Sequence, residues 1–300
     1  MQCPVLTGVD GSAESLAAAA WAAREAKRRE APLSLLHVRA WSPQEGGNEP
    51  DSAVQRFLAR RCLRQAEERI RADCPDVRID ADQVDGPATQ ALLATAERCD
   101  LLVLGSRGLG GIAGFLVGSV SFGVVARSVR PVVLVRAGED AADEHLPAPD
   151  GTPSARTGYR DVVLGVDPAD PRDEVMEFAF HEARLRRARL QAVYAWQEPG
   201  PLTLGPGEVG LMTGTGQARE WREFLSGVLQ PWREKYPDVE VRESAAEGRP
   251  AGALIAAATG AGLLVVGHRL TDRPLGPRTG PVTHAAIHHA GCPVAVVPHT

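Results

Sequence analysis

Short apolar runs alternate with longer stretches whose apolar positions recur at helical spacing, and this alternation is traversed twice. Val5-Leu6-Thr7-Gly8-Val9-Asp10 reads as a strand, residues 13–30 as a helix and 33–39 as a second strand. After a loop at 42–51 the pattern predicts a helix over 53–72, a strand over 77–84, a helix over 87–98 and a strand over 100–105. A glycine-rich loop, a further helix and a strand over 130–135 close the first half. The second half opens with Asp161-Val162-Val163-Leu164-Gly165-Val166-Asp167 and repeats the order. Its elements are a helix over 174–189, strand 190–196, helix 218–236, strand 239–245, helix 250–260, strand 262–267 and a last strand over 292–297, with a loop at 198–216.

The halves match at spaced landmarks. Gly8-Val9-Asp10 answers to Gly165-Val166-Asp167, residues 100–105 to 262–267, and 130–135 to 292–297. The interval from Gly118 to Pro131 equals that from Gly280 to Pro293. This is a duplicated domain: residues 1–137, a linker over 138–158 rich in Asp, Glu, Pro and Gly, and residues 159–300. Strands alternating with helices imply parallel pairing through right-handed crossovers. The expected fold is α/β, two tandem Rossmann-like α/β/α domains. In such sheets ligands bind beyond the carboxyl ends of the strands, which is where Asp10 and Gly105 fall.

Composition narrows the function classes. With 44% hydrophobic and 24% charged residues the chain is in the globular range. A net charge of −5 speaks against nucleic-acid binding. The start of the sequence has no secretory signature, and the uncharged stretch 109–126 is broken by glycines, so no membrane span is expected. Five cysteines without a CxxC spacing read as reduced thiols, and the expected location is cytoplasmic. Mixed-sign charge runs at 24–30, 56–71 and 184–189 read as exposed helix faces.

The chemistry concentrates in residues 105–121, GSRGLGGIAGFLVGSVS, between a buried strand and a helix. Glycines there let backbone N–H groups reach an anion. Gly118-Ser119-Val120 opens the next helix, Ser119 and Ser121 add hydroxyls, and Arg107 adds charge. No GxxxxGK[ST] exists, and no GxGxxG follows the first strand.

The segment fits G-x2-G-x9-G-[ST], with Gly105, Gly108, Gly118 and Ser119 in place, and so resembles the ATP-binding signature of the universal stress protein family. Val9-Asp10-Gly11-Ser12 is similar to that family's first loop, and the two halves together resemble a tandem member. The resemblance implies a five-stranded parallel sheet of order 3-2-1-4-5 in each domain, with ATP across strands one and four. It places Gly8, Val9, Asp10, Gly11 and Ser12 at the adenine–ribose end, with Val38 offering backbone groups to the base and Val84 and Gly86 nearby. Gly105, Ser106, Arg107, Gly108, Gly118, Ser119, Val120 and Ser121 would hold the phosphates. A divalent ion such as Mg2+ would sit between phosphates and Asp10 or Asp85.

The second copy departs from the signature. Leu270 stands where the second glycine belongs, Pro281 replaces the hydroxyl, and Pro168-Ala169 replaces Gly-Ser. Asp272 adds a like charge, offset by Arg269, Arg273 and Arg278. A weakened or empty second nucleotide site is expected, with domain two kept as a built-in dimer partner. Strands 131–135 and 293–297 would cover each other's edges. His284 and His288 are four apart but lack the Glu of HExxH, and read as a helix face. His37, beside Val38 at a strand end, reads equally as lining the adenine pocket or as a core or rim histidine. No catalytic arrangement stands out. The function expected is an ATP-binding regulatory protein acting through a protein partner, with homodimerisation open. The alternatives are a slow ATPase or nucleotidyl-transfer enzyme using Asp10 or Asp85, and a binder of AMP, cyclic AMP or a flavin.

Overall fold

A strand that reads as an unbroken apolar run must be covered on both faces, and the computed structural model satisfies this for residues 3–39, 49–106, 118–196, 214–270 and 279–300, which it describes. The first half runs β1 (Val5–Gly8), α1 (Ala13–Arg28), β2 (Leu33–Arg39), α2 (Glu49–Asp73), β3 (Ile79–Asp85), α3 (Ala88–Ala96), β4 (Leu101–Ser106), α4 (Ser119–Val125) and β5 (Val132–Arg136). The second half repeats it as β6 (Val162–Gly165), α5 (Asp173–Arg186), β7 (Leu190–Trp196), α6 (Gly214–Lys235), β8 (Val241–Glu247), α7 (Pro250–Ala257), β9 (Leu263–Arg269), α8 (Pro281–His289) and β10 (Val294–His299).

Within each half the strands pair in parallel in the order 3-2-1-4-5, as expected. The two sheets are not separate. β5 and β10 pair antiparallel, with Val294 opposite Leu134, Ala295 opposite Val133 and Val296 opposite Val132. The result is one ten-stranded sheet, in which each half removes the other's open edge. Among the described residues, no helix is long and apolar enough to cross a membrane.

Tertiary contacts add what composition does not show. Residues 138–158 have linker composition, yet they contain a 3-10 turn (Ala141–Glu144), capped by Asp140, whose last residue is 1% exposed. Glu144 takes ion pairs from Arg24 at 2.6 Å and Arg28 at 2.7 Å, both on α1. The runs at 24–30 and 184–189, expected as solvated faces, instead bury charge where α1 meets α5. Glu25 and Glu182 are fully buried and Arg186 is 2% exposed. Arg186 bonds Glu25 at 2.7 Å across the halves and Glu182 within its own helix, while Arg29 reaches Glu25 at 2.5 Å and also Glu182. Opposite charges on facing helices satisfied one another, which a pattern read one helix at a time does not reveal. The run at 56–71 on α2 is largely exposed, as its composition suggested.

Burial pushes the Glu25 carboxyl up, but the guanidiniums of Arg186, Arg28 and Arg29 outweigh burial and hold it well below the ordinary range. Glu139 shows the opposite balance: burial first, then Asp143 and Glu144, push its pKa up to about 8. An acid with a raised folded pKa stays protonated in the folded chain while the unfolded chain ionises. Its contribution to stability therefore falls as pH rises from about 4.5 to about 8. Glu139→Gln is expected to exceed the parent in stability at pH 8, by something on the order of 1–3 kcal/mol. The two should converge below pH 5, and paired thermal melts across that window check it.

Candidate functional site

The carboxyl ends of β1 and β4 open into a cleft of about 220 Å³. Its first wall is the turn between β1 and α1. The Asp10 carboxylate accepts from the Ser12 backbone N–H at 2.9 Å and from the Ser12 hydroxyl at 2.6 Å. Ser12 in turn caps α1, accepting from the Ser15 N–H at 3.2 Å. Gly11 makes the turn possible with φ +84°, and a Cβ there would meet Cys62 Sγ at 2.7 Å.

The structure brings Gly8, Val9, Asp10, Ser12, Val38, Gly105, Gly118, Ser119, Val120 and Ser121 to this one cleft. They come from four separated stretches of chain. Leu36, Leu92 and Leu104 supply an apolar floor that the motif did not reveal, and Glu14 also lines the cleft. The apolar strand and helix pattern held the clue to the floor, because these leucines lie within core strands β2 and β4 and within α3.

The remaining expected residues fall elsewhere. Ser106 is 5% exposed and its hydroxyl donates to the Val135 carbonyl at 3.2 Å. Val84 packs against the core beneath the sheet. Gly11 and Gly86 are turn glycines outside the cleft lining, Gly86 at φ +136° with its N–H bonded to the Arg39 carbonyl at 3.0 Å. Arg107 and Gly108 lie outside the described residues. Ser121 reaches the cleft, but its hydroxyl donates to the Gly105 carbonyl at 2.8 Å and so ties α4 to the end of β4. Ser119, the first residue of α4, is exposed.

Gly105 has a packing reason as well. A Cβ there would come within 2.6 Å of the Glu14 carbonyl carbon, so its absence lets α1 approach β4 closely. Asp85 pairs with Arg39 at 2.6 and 2.5 Å on the exposed rim. That hydrogen bond to Arg39 is the main reason its pKa is lowered. His37 holds the Val9 carbonyl through Nδ1 at 2.7 Å and thereby joins the ends of β1 and β2.

The second half forms the equivalent cleft, larger at about 630 Å³. Thr283 donates to the Gly267 carbonyl at 2.9 Å, repeating the tie between Ser121 and Gly105. On α8 the rings of His284 and His288 lie 4.3 Å apart, and Phe122 of the first half packs edge-on to His284 at 6.1 Å. No group of three or more metal-ligating side chains exists among the described residues.

Known proteins place this architecture. The model of the universal stress protein family matches residues 3–136 and again 158–298. A universal stress protein of Mycolicibacterium smegmatis is 31% identical over 98% of this chain and 96% of its own length. One from Mycobacterium tuberculosis is 31% identical over 97% of this chain and 96% of its own. The crystal structure of a universal stress protein from Archaeoglobus fulgidus superposes with a TM-score of 0.69 at 17% identity, covering 99% of this chain and 98% of that one. The chain belongs to the universal stress protein family.

Proposed function

We propose that this protein binds ATP in the first cleft and acts as a nucleotide-dependent regulator. The observation that carries the reading is convergence: Asp10, Val38, Gly105, Gly118 and Ser119, chosen from separated motifs, line one opening at the carboxyl edge of the sheet. The chemistry of the lining suits the parts of the ligand. Leu36, Val38, Leu92 and Leu104 offer an apolar slot for a planar base. Gly118 and Ser119 bring an uncapped helix start and an exposed hydroxyl, donors that favour phosphate oxygens.

Asp10 and Glu14 face the same cleft. Two carboxylates beside a polyphosphate call for a divalent cation, and Mg2+ would supply that charge neutralisation. Adenine nucleotide is thus the ligand, Mg2+ its companion, and a protein partner the reader of the bound state.

Calorimetry of the full chain tests the reading. Gly118→Ala with Ser119→Ala removes a hydroxyl donor and stiffens the approach to the helix start. Hydrogen bonds to charged groups contribute about 1.5–3 kcal/mol each, so ATP affinity is expected to fall roughly 10- to 100-fold or more. Unchanged affinity in that variant would remove the phosphate assignment. Mass spectrometry of the nucleotide that co-purifies identifies the ligand directly.

A further inference from the structure

The second cleft has the same frame as the first and a different chemical character. Proline replaces a residue able to donate an N–H at two matched positions: Pro250 stands where Ala88 does, and Pro281 where Ser119 does. A third proline, Pro171, lines the cleft from the β6–α5 turn. Pro281 deletes the N–H and hydroxyl that Ser119 offers, Pro250 shifts by one place the proline that the first half carries at Pro87, and all three rings add apolar surface. Met176, Val193 and Leu254 extend the apolar lining, and Tyr194, packed on Trp221 at 4.9 Å, stands where the first half has His37.

Three of the charged groups described in this cleft are already matched among themselves. Asp170, on the turn between β6 and α5, bonds Arg172 at 2.7 and 2.8 Å and Arg269 at 2.5 Å. Arg269 follows Gly267-His268 as Arg107 follows Gly105-Ser106, so it is the counterpart of the cation expected to serve phosphate in the first half. Here an internal carboxylate takes it. Arg172 also donates to the Thr300 carbonyl at 2.7 Å. Among the described lining residues, Asp167 and Asp170 against Arg172 and Arg269 leave no net charge.

A cleft of about 630 Å³ is well inside the size range of small-molecule sites. We infer that the second cleft is a binding site for an uncharged organic molecule with an aromatic or aliphatic body, and that Asp170 and the three prolines exclude nucleoside polyphosphates from it. The chain then carries two clefts of one ancestry with separate ligands, and the second reports on a different class of compound. This inference goes beyond the ATP reading of the first cleft and does not rest on it.

The test uses the full chain and the neutral fluorescent probe N-phenyl-1-naphthylamine. One saturable site per chain is expected, retained in excess ATP. Val282→Trp, which fills the second cleft at the start of α8, is expected to weaken the probe at least tenfold. Val120→Trp, its counterpart in the first cleft, is expected to leave it unchanged. Each variant is checked for a native-like melt, so that loss of the probe reports filling and not unfolding. Absence of a saturable site, displacement of the probe by ATP, or loss in Val120→Trp with retention in Val282→Trp overturns the inference. If the chain binds no ATP at all, the reading of the first cleft fails while the probe still decides this one.

Discussion

Glu25→Ala is expected to lower the stability of the folded chain by about 3–5 kcal/mol, because it leaves buried guanidiniums without their counter-charge. Glu25 lies at the C-terminal end of α1 with no exposed surface. Its carboxylate takes Arg186 at 2.7 Å from the other half, Arg29 at 2.5 Å and Arg28 at 3.0 Å from its own. Arg186 and Arg28 also flank the fully buried ring of Trp21, at 5.6 and 5.8 Å from its centroid. Removing the carboxylate therefore leaves three cations without a shared partner, two of them against the Trp21 ring. Glu182 and Glu144 balance part of that charge, which keeps the expected loss in the range of a broken buried pair. Glu25→Gln keeps the shape and one acceptor but not the charge, and is expected to recover only a minor part. Urea midpoints at neutral pH with an unchanged slope measure both. A loss below about 1 kcal/mol for Glu25→Ala would mean that water reaches the cluster and the network contributes little.

Val133→Asp should have a comparable or larger effect, several kcal/mol, by placing an ion in the seam of the ten-stranded sheet. Val133 sits opposite Ala295 in the antiparallel pair of β5 with β10, and both have no exposed surface. They belong to the same apolar cluster as Trp21, Val135, Ala179 and Phe180, so the seam is covered by helices of both halves. Val133→Ala removes methyl groups only and is expected to cost about 1–3 kcal/mol. Val129→Asp lies four residues away and is 62% exposed, so it should be close to neutral. A cooperative melt retained near the parent temperature in Val133→Asp would show that the halves separate at the seam without unfolding.

Much of the fold was legible because its signals are local. The period of two against 3.6 located the strands and helices, and α1 over Ala13–Arg28 and β2 over Leu33–Arg39 match the expected spans closely. Matching landmarks revealed the duplication without any knowledge of contacts. The site was legible for a similar reason: Asp10, Gly105 and Ser119 each end a strand or open a helix, and the α/β topology sends such positions to one edge. Val84 packs on the same apolar cluster as its register partner Val38, and Ser106 turns its hydroxyl toward Val135, so neither joins the described lining of the cleft. A spacing motif does not encode such contacts.

The sequence by itself determined the element order, the duplication and the sheet edge that carries the candidate site. All of these follow from periodicity and chain connectivity. The parallel order 3-2-1-4-5 came from the resemblance to the family. Only the tertiary structure decided how charge was distributed between exposed and buried places. Residues 24–30 and 184–189 look like solvated helix faces in isolation, yet Glu25 and Arg186 within them are buried because α1 and α5 bring Glu25, Glu182, Arg29 and Arg186 together. The tertiary structure likewise placed Glu144 against α1 and brought the partly exposed Asp170 to Arg172 and Arg269. Whether a charge is solvated depends on partners that are distant in sequence. Glu25 and Arg186 stand 161 positions apart, beyond what any local pattern records.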